Sequence, residues 1–338
     1  MRSRPILRAL FALAAFALVL TPAAARADPP IYLPFVTRSA ASPATVGPTL
    51  GGCPLFPADN IWNRRIDALP AHPQSATFTN TIGADIGLHP DFGSGTWDGG
   101  PIGIPYNLVP SSQPNVPITF LYADESDPSP YPIPPGAQRE WGSDHHILII
   151  QQSACLLYEV YAAETSDGGA SWMAGSGARW NLLSHALRPD TWTSADAAGL
   201  PMLPGLVRYD EVAAGEIKHA IRFTLRGTNG THVWPARHRT PSATHNDANL
   251  PPMGQRFRLK ASFSVTSFSR ETQVILTALK QYGVMMADNG ADWYIGGAPD
   301  ARWNNDTLVS EFLRVHGGDF EAVDISSLMI DPNSGQAR

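Results

Sequence analysis

Short apolar segments, separated by polar, glycine-rich and proline-rich stretches, recur along the chain. The clearest pair is residues 147–150, Ile-Leu-Ile-Ile, and residues 156–162, with the polar residues 151–153 between them. Two apolar runs joined by a short polar turn predict a β-hairpin. The remaining strand candidates combine β-branched or aromatic residues with alternating polarity, and they are residues 118–122, 219–225 and 257–263.

Two segments have the spacing of an amphipathic helix. Ser269 can cap a helix whose apolar stripe continues to Tyr282, and Gly283 can end it. A second helix is predicted over residues 306–315, and a short helical turn at residues 194–198. Charged residues make up only 16% of the chain, which has 29 glycines and 31 prolines. This composition favours short strands joined by turns, and it predicts a mainly-β fold: a β-sandwich or jelly roll with two or three peripheral helices.

The N-terminal segment has the order of a secretory signal peptide. Three arginines, at positions 2, 4 and 8, precede an apolar run over residues 9–20, and small residues follow around Ala27. The apolar run is shorter than the ~20 residues that a membrane-spanning helix needs. We therefore expect a leader over residues 1–27, cleaved after Ala27, and a secreted protein; a retained anchor is the alternative.

The composition changes again after the leader. Residues 28–52 are rich in Pro, Ala, Ser, Thr and Gly, which is typical of a linker, and residues 53–338 are expected to form a single β-rich domain. Loss of the leader removes four arginines and no acid, leaving 20 basic against 30 acidic residues and a formal charge of −10. This charge argues against nucleic acid or an anionic membrane surface as the partner of the mature protein.

The chain has two cysteines, Cys53 and Cys155. An even number of cysteines in an exported protein predicts one disulfide, and two unpaired buried thiols are the alternative. The bridge would join the start of the predicted domain to the second arm of the hairpin. Two lone cysteines do not provide a zinc site.

Four polar residues lie in or beside the predicted hairpin: Asp144 and His146 in the first arm, Glu159 and Tyr161 in the second. Because side chains alternate between the faces of a strand, each pair is expected to share one face. Whether the two pairs face each other depends on the register of the hairpin. If they do, Glu159 is the candidate acid/base or nucleophile, with His146 and Asp144 adjusting its pKa. The alternative is that all four lie on a solvated sheet face.

Several enzyme classes lack sequence support. The chain contains no Gly-x-Ser-x-Gly elbow, His-Glu-x-x-His helix, phosphate-binding loop or dinucleotide-binding fingerprint. Carboxylates, imidazoles and aromatic groups remain, and glycoside hydrolysis uses two carboxyl groups that flank the scissile bond. The second carboxylate is expected from one of four residues: Asp124, Glu125, Asp144 or Asp288.

Aromatic residues provide candidate surfaces for sugar rings, because their apolar faces can pack against a pyranose. The predicted substrate-binding residues are Trp172, Trp180, Trp293, Arg222 and His219, and further candidate platforms are Trp141 and Trp303. The competing interpretation is that these aromatic side chains pack in the core or under loops.

Two other chemistries use overlapping residues. A transition metal is one alternative, with His146, Glu159, His219 and His238 as its ligands, and Ca²⁺ at residues 124–127 is another. A polysaccharide lyase is the third alternative, with His146 or Tyr161 as the base and His219 and Arg222 to neutralise a uronate. The main hypothesis needs no cofactor.

A leader, a linker and a Trp-rich, strand-dominated domain resemble secreted bacterial polysaccharide-active proteins of the concanavalin-like or jelly-roll type. The strand at residues 157–161 is similar to strands that carry a catalytic glutamate in such enzymes. The resemblance implies an extracellular polysaccharide as partner and glycoside hydrolysis as activity. A non-catalytic carbohydrate-binding or cell-surface structural protein is the alternative, although the length of the domain favours an enzyme.

Overall fold

The structure is a computed structural model that describes residues 47–240 and 247–338. The predicted leader and all but the last six residues of the predicted linker lie outside the described residues. The described residues belong to one compact unit. Within them, no helix is long and apolar enough to cross a membrane.

The described part of the chain is mainly β, as the sequence predicts. Its strands are β1 (Thr49–Leu50), β2 (Cys53–Pro54), β3 (His89–Asp91), β4 (Thr96–Trp97), β5 (Gly100–Pro101), β6 (Tyr106–Val109), β7 (Ile118–Phe120), β8 (Ile147–Gln151), β9 (Leu156–Tyr161), β10 (Trp172–Ala174), β11 (Ser176–Asn181), β12 (Ile221–Leu225), β13 (Arg256–Leu259), β14 (Val284–Asn289), β15 (Tyr294–Gly296) and β16 (Phe320–Val323). The α-helices are α1 (Ser75–Ile82), α2 (Tyr209–Ala214), α3 (Arg270–Gln281) and α4 (Asn305–Phe312).

Two of the sheets are larger than the others. One has the strand order β11-β9-β8-β6, and the other has the order β16-β13-β14-β12-β15-β3. Both sheets are mixed, because β6–β8, β12–β14 and β15–β3 are parallel pairs whereas the remaining neighbours are antiparallel. Three two-stranded sheets, β1–β2, β4–β5 and β7–β10, lie outside them.

The two larger sheets share one hydrophobic core. Leu148 and Leu157 of the four-stranded sheet belong to the same buried cluster as Phe223 and Phe257 of the six-stranded sheet. The opposite face of β8 and β9 packs on a second cluster, which includes Ile118, Tyr131 and Ile133. The four-stranded sheet is therefore buried on both faces, which explains the unbroken apolar run Ile-Leu-Ile-Ile in β8.

The central hairpin and the disulfide are confirmed. β8 and β9 pair antiparallel, with Leu148 opposite Glu159. Cys53 and Cys155 form a disulfide with their Cα atoms 5.3 Å apart, and it links β2 to the residue before β9.

The described residues contain four α-helices, whereas the sequence predicted two or three. α3 begins after Ser269, whose hydroxyl accepts the Thr272 N–H, and it ends before Gly283, whose φ is +68°. Residues 194–198 form a turn without a helix. The sequence missed two short helices, α1 and α2, which lack a strong amphipathic pattern and are held by tertiary packing. Thr49 and Leu50, assigned to the linker, pair with β2.

Candidate functional site

A cleft of about 470 Å³ opens where the ends of β9, β11 and β14 meet. Its walls carry three acids, two tyrosines and one histidine, together with small hydroxyl residues and backbone. The chemically active lining residues are Glu125, Asp144, Asp288, Tyr122, Tyr161 and His238. The cleft thus has the concave shape and the convergent polar groups that are typical of small-molecule and glycan sites.

A β-bulge sets the direction of Asp288. The pairing of β12 with β14 skips Ala287, so that Asp288 lies opposite Thr224. With an unbroken register, Asp288 would lie opposite Leu225 and project from the other face of the sheet. The bulge therefore places Asp288 on the same face as Arg222, which precedes Thr224 by two residues on β12.

The loop that follows β11 holds this bulge in place. The Ala198 N–H donates to the carbonyl oxygen of Ala287 at 2.9 Å. The same loop supplies Asp196, whose carboxylate accepts two hydrogen bonds from Arg222, one of them from Nε to Oδ2 at 3.0 Å. Asp196 is fully buried and Arg222 is 5% exposed.

These neighbours and burial shift the pKa of Asp288 upward. Burial raises its pKa well above the usual value, and the nearby Asp196 carboxylate, with which it forms a hydrogen bond, raises it further. Arg222 and His146 oppose the shift but do not overcome it. A raised pKa favours the protonated carboxylic acid, and a protonated acid can act as a proton donor.

Asp144 and Tyr161 form the wall next to Asp288. Burial raises the pKa of the Tyr161 hydroxyl, and the Asp144 and Asp288 carboxyl groups, which line the same cleft, raise it further. Asp144 is exposed and precedes His145, a residue with φ of +47° that breaks the strand alternation before β8 begins. Asp144 therefore lines the open cleft, although His146 is buried.

Glu125 and His238 also line the cleft and lie next to each other. The His238 Nδ1 atom lies 2.7 Å from the carbonyl oxygen of Ala197, and its Nε2 atom lies 3.8 Å from the Glu125 carboxylate. The Glu125 carboxylate also accepts the backbone N–H of Thr193 at 2.9 Å. Both side chains remain partly exposed to the cleft.

His146 and Glu159 lie on one face of the hairpin but beneath the cleft. Leu148 pairs with Glu159, and His146 precedes Leu148 by two residues, so the two polar side chains share that face, as the hairpin hypothesis required. His146 Nδ1 binds the Glu140 carboxylate, and its Nε2 atom lies 3.0 Å from the carbonyl oxygen of Ala195. His146 is 3% exposed and Glu159 has no exposed surface.

Glu159 lies inside the protein and away from the cleft surface. Its carboxylate accepts the backbone N–H groups of Met202 at 3.0 Å and Leu203 at 2.9 Å, at the start of the 3₁₀ helix Leu203–Gly205. It therefore caps a helix end inside the protein, where its charge meets unpaired backbone donors. A residue without exposed surface cannot contact a polysaccharide in this conformation.

Stability is expected to fall as the pH rises from about 5 to 9. Burial raises the pKa of Glu159 from 4.5 to about 7, and Glu140 raises that of His146 from 6.5 to about 9 against the effect of burial. Between its usual pKa and its raised pKa, each of these two groups is protonated in the folded state but deprotonated in the unfolded state. The stabilisation that each group gives the folded state therefore decreases as the pH rises through that range. Glu159 alone accounts for about 3 kcal/mol between pH 4.5 and 7.

Urea unfolding at pH 5, 7 and 9 measures this dependence. Glu159→Gln keeps an oxygen that can accept the two N–H groups but does not titrate, so its stability should change less than that of the natural protein between pH 5 and 7. Identical profiles for both proteins contradict the expectation. The measurement stays above pH 4.5, because Glu140 and Glu211, whose pKa values are lowered, contribute their own loss of stability only in more acidic solution.

The predicted substrate-binding residues are mostly buried. Trp180 is 3% exposed and Trp293 is fully buried in the main core, whereas Trp172 is half-buried beside the second cluster. The Arg222 guanidinium donates hydrogen bonds to the Asp196 carboxylate. His219 is fully buried and its Nε2 lies 3.1 Å from Glu211 of α2. These residues pack or pair inside the protein, because large apolar rings stabilise a core more than a solvated surface.

The predicted metal sets do not come together. His219 pairs with Glu211, His238 lies in the cleft, and His146 is bound to Glu140. In the segment 124–127, Asp127 pairs with Arg188 at 2.5 Å. Across residues 47–240 and 247–338, no group of three or more His, Cys, Asp or Glu side chains is arranged to hold a metal ion.

Sequence reasoning anticipated part of this site. Asp144 and Tyr161 were candidates for the site, and Glu125 and Asp288 were candidate second carboxylates, and all four line the cleft. Glu140 and Asp196 were missed, because both lie in loops; Asp196 pairs with Arg222 on β12, far along the chain, and Glu140 pairs with His146 within the same loop. The Asp-Asn-Gly sequence at the end of β14 was the available signal that this strand ends in polar residues.

No protein-family model, curated protein or solved structure matches this chain. The fold and the cleft define a mainly-β protein with an acid-lined cleft at the strand ends of its two main sheets. The geometry of that cleft is therefore the basis for its function.

Proposed function

We propose that the protein is a glycoside hydrolase that acts on an extracellular polysaccharide, with Asp288 as the general acid. The observation that carries the proposal is the cleft that Asp288, a carboxyl group with a raised pKa, shares with the exposed Asp144. Glycosidic cleavage uses two carboxyl groups at one site, one of which acts as an acid.

In the proposed reaction, Asp288 donates its proton to the glycosidic oxygen while the bond to the anomeric carbon breaks. Asp144 lies on the neighbouring wall, where its negative charge stabilises the cationic sugar. A water molecule supplies the new oxygen on the anomeric carbon, and its proton passes to Asp144. Tyr161, which lines the same cleft as both acids, is placed to contact the sugar.

Export of the protein is part of the proposal. The disulfide between Cys53 and Cys155 supports an oxidising compartment, because such bridges are rare in the cytosol. The net negative charge is compatible with a neutral glycan and unfavourable for a polyanion, which favours hydrolysis over uronate lyase chemistry.

The test is hydrolysis of soluble β-glucan, xylan, mannan, arabinan and chitosan, followed by the release of reducing ends. We expect turnover of at least one glycan, and we expect Asp288→Asn to lower it by about 10²–10⁴-fold, the contribution of a positioned general acid. Asp85→Asn is the matched control, because Asp85 is exposed and does not line the cleft. Turnover of none of the glycans, or an Asp288→Asn variant with undiminished turnover, would overturn the proposal.

A glycan-binding function without hydrolysis is the second candidate. It is favoured by the aromatic rim of the cleft, where Tyr122 is 48% exposed. Binding of a polysaccharide without release of reducing ends is the result that this candidate predicts.

A further inference from the structure

Two tryptophans are exposed at one small hairpin, whereas the other tryptophans of the chain are buried or half-buried. Trp97 is 77% exposed and Trp141 is 49% exposed. An exposed indole loses the stabilisation that burial of its large apolar surface would give. A pair of exposed tryptophans at one place therefore indicates a surface that a ligand covers.

The hairpin is built to support the Trp141 ring. β4 and β5 are joined by Asp98 and Gly99, whose φ values are +51° and +101°, as a two-residue hairpin turn requires. A Cβ atom on Gly100 would lie 2.1 Å from Cγ of Trp141, and one on Gly99 would lie 3.1 Å from its Cζ2. The indole thus extends across both glycines, and only residues without a side chain permit this approach.

A hydrogen bond fixes the orientation of the ring. The indole Nε1–H of Trp141 donates to the carbonyl oxygen of Asp98 at 2.8 Å. Because one face of the indole is covered by the hairpin backbone and its N–H is already bonded, the exposed half is largely apolar ring. Such a ring binds a ligand with little further loss of conformational entropy.

Trp97 lies on the same side of the hairpin as the Trp141 ring. Trp97 pairs directly with Gly100. Side chains of directly opposed residues in an antiparallel pair project to the same face. The Trp141 ring occupies the space that a side chain on Gly100 would fill. The two indoles therefore flank each other on one surface.

This surface lies close to the cleft along the chain. Trp141 and the cleft residue Asp144 belong to one loop, whose ends are joined by the Glu140 N–H donating to the carbonyl oxygen of His146 at 2.9 Å. Three residues of chain span at most about 11 Å between the Cα atoms of Trp141 and Asp144. Trp141 thus lies within a few sugar units of Asp144.

We propose that Trp141 and Trp97 form a stacking subsite for a sugar ring of the glycan whose scissile bond lies in the cleft. The proposal rests on the proposed function for its ligand class. The apolar face of a pyranose lies over the exposed indole of Trp141, and Trp97 borders it. Neutral glycans fit this subsite, because two tryptophans and two glycines present no cation to a uronate.

The test is affinity electrophoresis of the mature protein in native gels that contain soluble β-glucan, xylan, mannan, arabinan or chitosan. We expect at least one neutral glycan to retard the protein, and Trp141→Ala to weaken its affinity about tenfold, which corresponds to the loss of one aromatic contact. Trp97→Ala, at a position too exposed to affect folding, should weaken it less. Leu183→Ala, which removes another exposed apolar side chain (60% exposed), should leave the affinity unchanged.

The outcomes separate this proposal from the hydrolase proposal. Retardation that is lost in Trp141→Ala but kept in Asp288→Asn supports the subsite, whether or not reducing ends are released. Retardation without release of reducing ends contradicts the hydrolase proposal but not the subsite proposal. A protein that no glycan retards, or a Trp141→Ala variant that binds as tightly as the natural protein, overturns the subsite.

Discussion

Replacing Arg222 by Met is expected to lower the free energy of unfolding by about 3–5 kcal/mol, because it leaves a buried carboxylate without its partner. Asp196 is fully buried, and Arg222 supplies two of its hydrogen bonds. Asp288 faces the same carboxylate and cannot replace a cation. The remaining charge must be neutralised or hydrated, and either change disturbs the packing between the two main sheets.

Urea unfolding at pH 7 measures this effect, with Arg302→Met as the matched control. Arg302 also binds two aspartates, Asp210 at 2.7 Å and Asp300 at 2.6 Å, but its side chain is 48% exposed. Loss of the Arg302 side chain should therefore cost far less stability than loss of Arg222, because exposed ion pairs contribute little. Adding Asp196→Leu to Arg222→Met should recover much of the stability, since the unpaired charge is then gone. Equal effects of Arg222→Met and Arg302→Met contradict the argument.

Removing the disulfide should have the other large effect on stability. The bridge joins residues separated by 102 positions, and in the chain-entropy model a closed loop of this size restricts the unfolded chain by about 4–5 kcal/mol. Measured losses are commonly about 2–5 kcal/mol. Cys53 and Cys155 are both buried, so alanine at each position avoids placing a hydroxyl in the core.

The double variant Cys53→Ala/Cys155→Ala should unfold at a lower urea concentration than the natural protein. A reducing agent should lower the midpoint of the natural protein toward that of the variant and leave the variant unchanged. Coincident unfolding curves for the natural and variant proteins under oxidising conditions contradict the expected contribution of the bridge.

Local sequence signals were sufficient wherever neighbours in the chain decide the structure. The hairpin of β8 and β9 follows from two apolar runs around a polar turn. α3 follows from the Ser269 cap, its apolar stripe and Gly283. The disulfide follows from cysteine number and the expected compartment. The mainly-β class follows from the richness in glycine and proline and the low charge.

The functional assignments needed the tertiary structure. Glu159 and Asp288 are both acids at strand positions, yet one caps a buried helix end and the other reaches the cleft. The sequence does not distinguish them, because the difference depends on which distant segment packs against each strand.

The sequence by itself determined that short strands form, where α3 begins and ends, and which two cysteines were available for a bridge. Only the tertiary structure decided that a skipped residue, Ala287, turns Asp288 toward the cleft, and that Trp141 rather than Trp293 remains exposed. The physical reason is the range of the forces involved. Turn geometry, capping and hydrophobic period act within a few residues, whereas sheet register, burial and the pairing of buried charges depend on segments far apart in the chain.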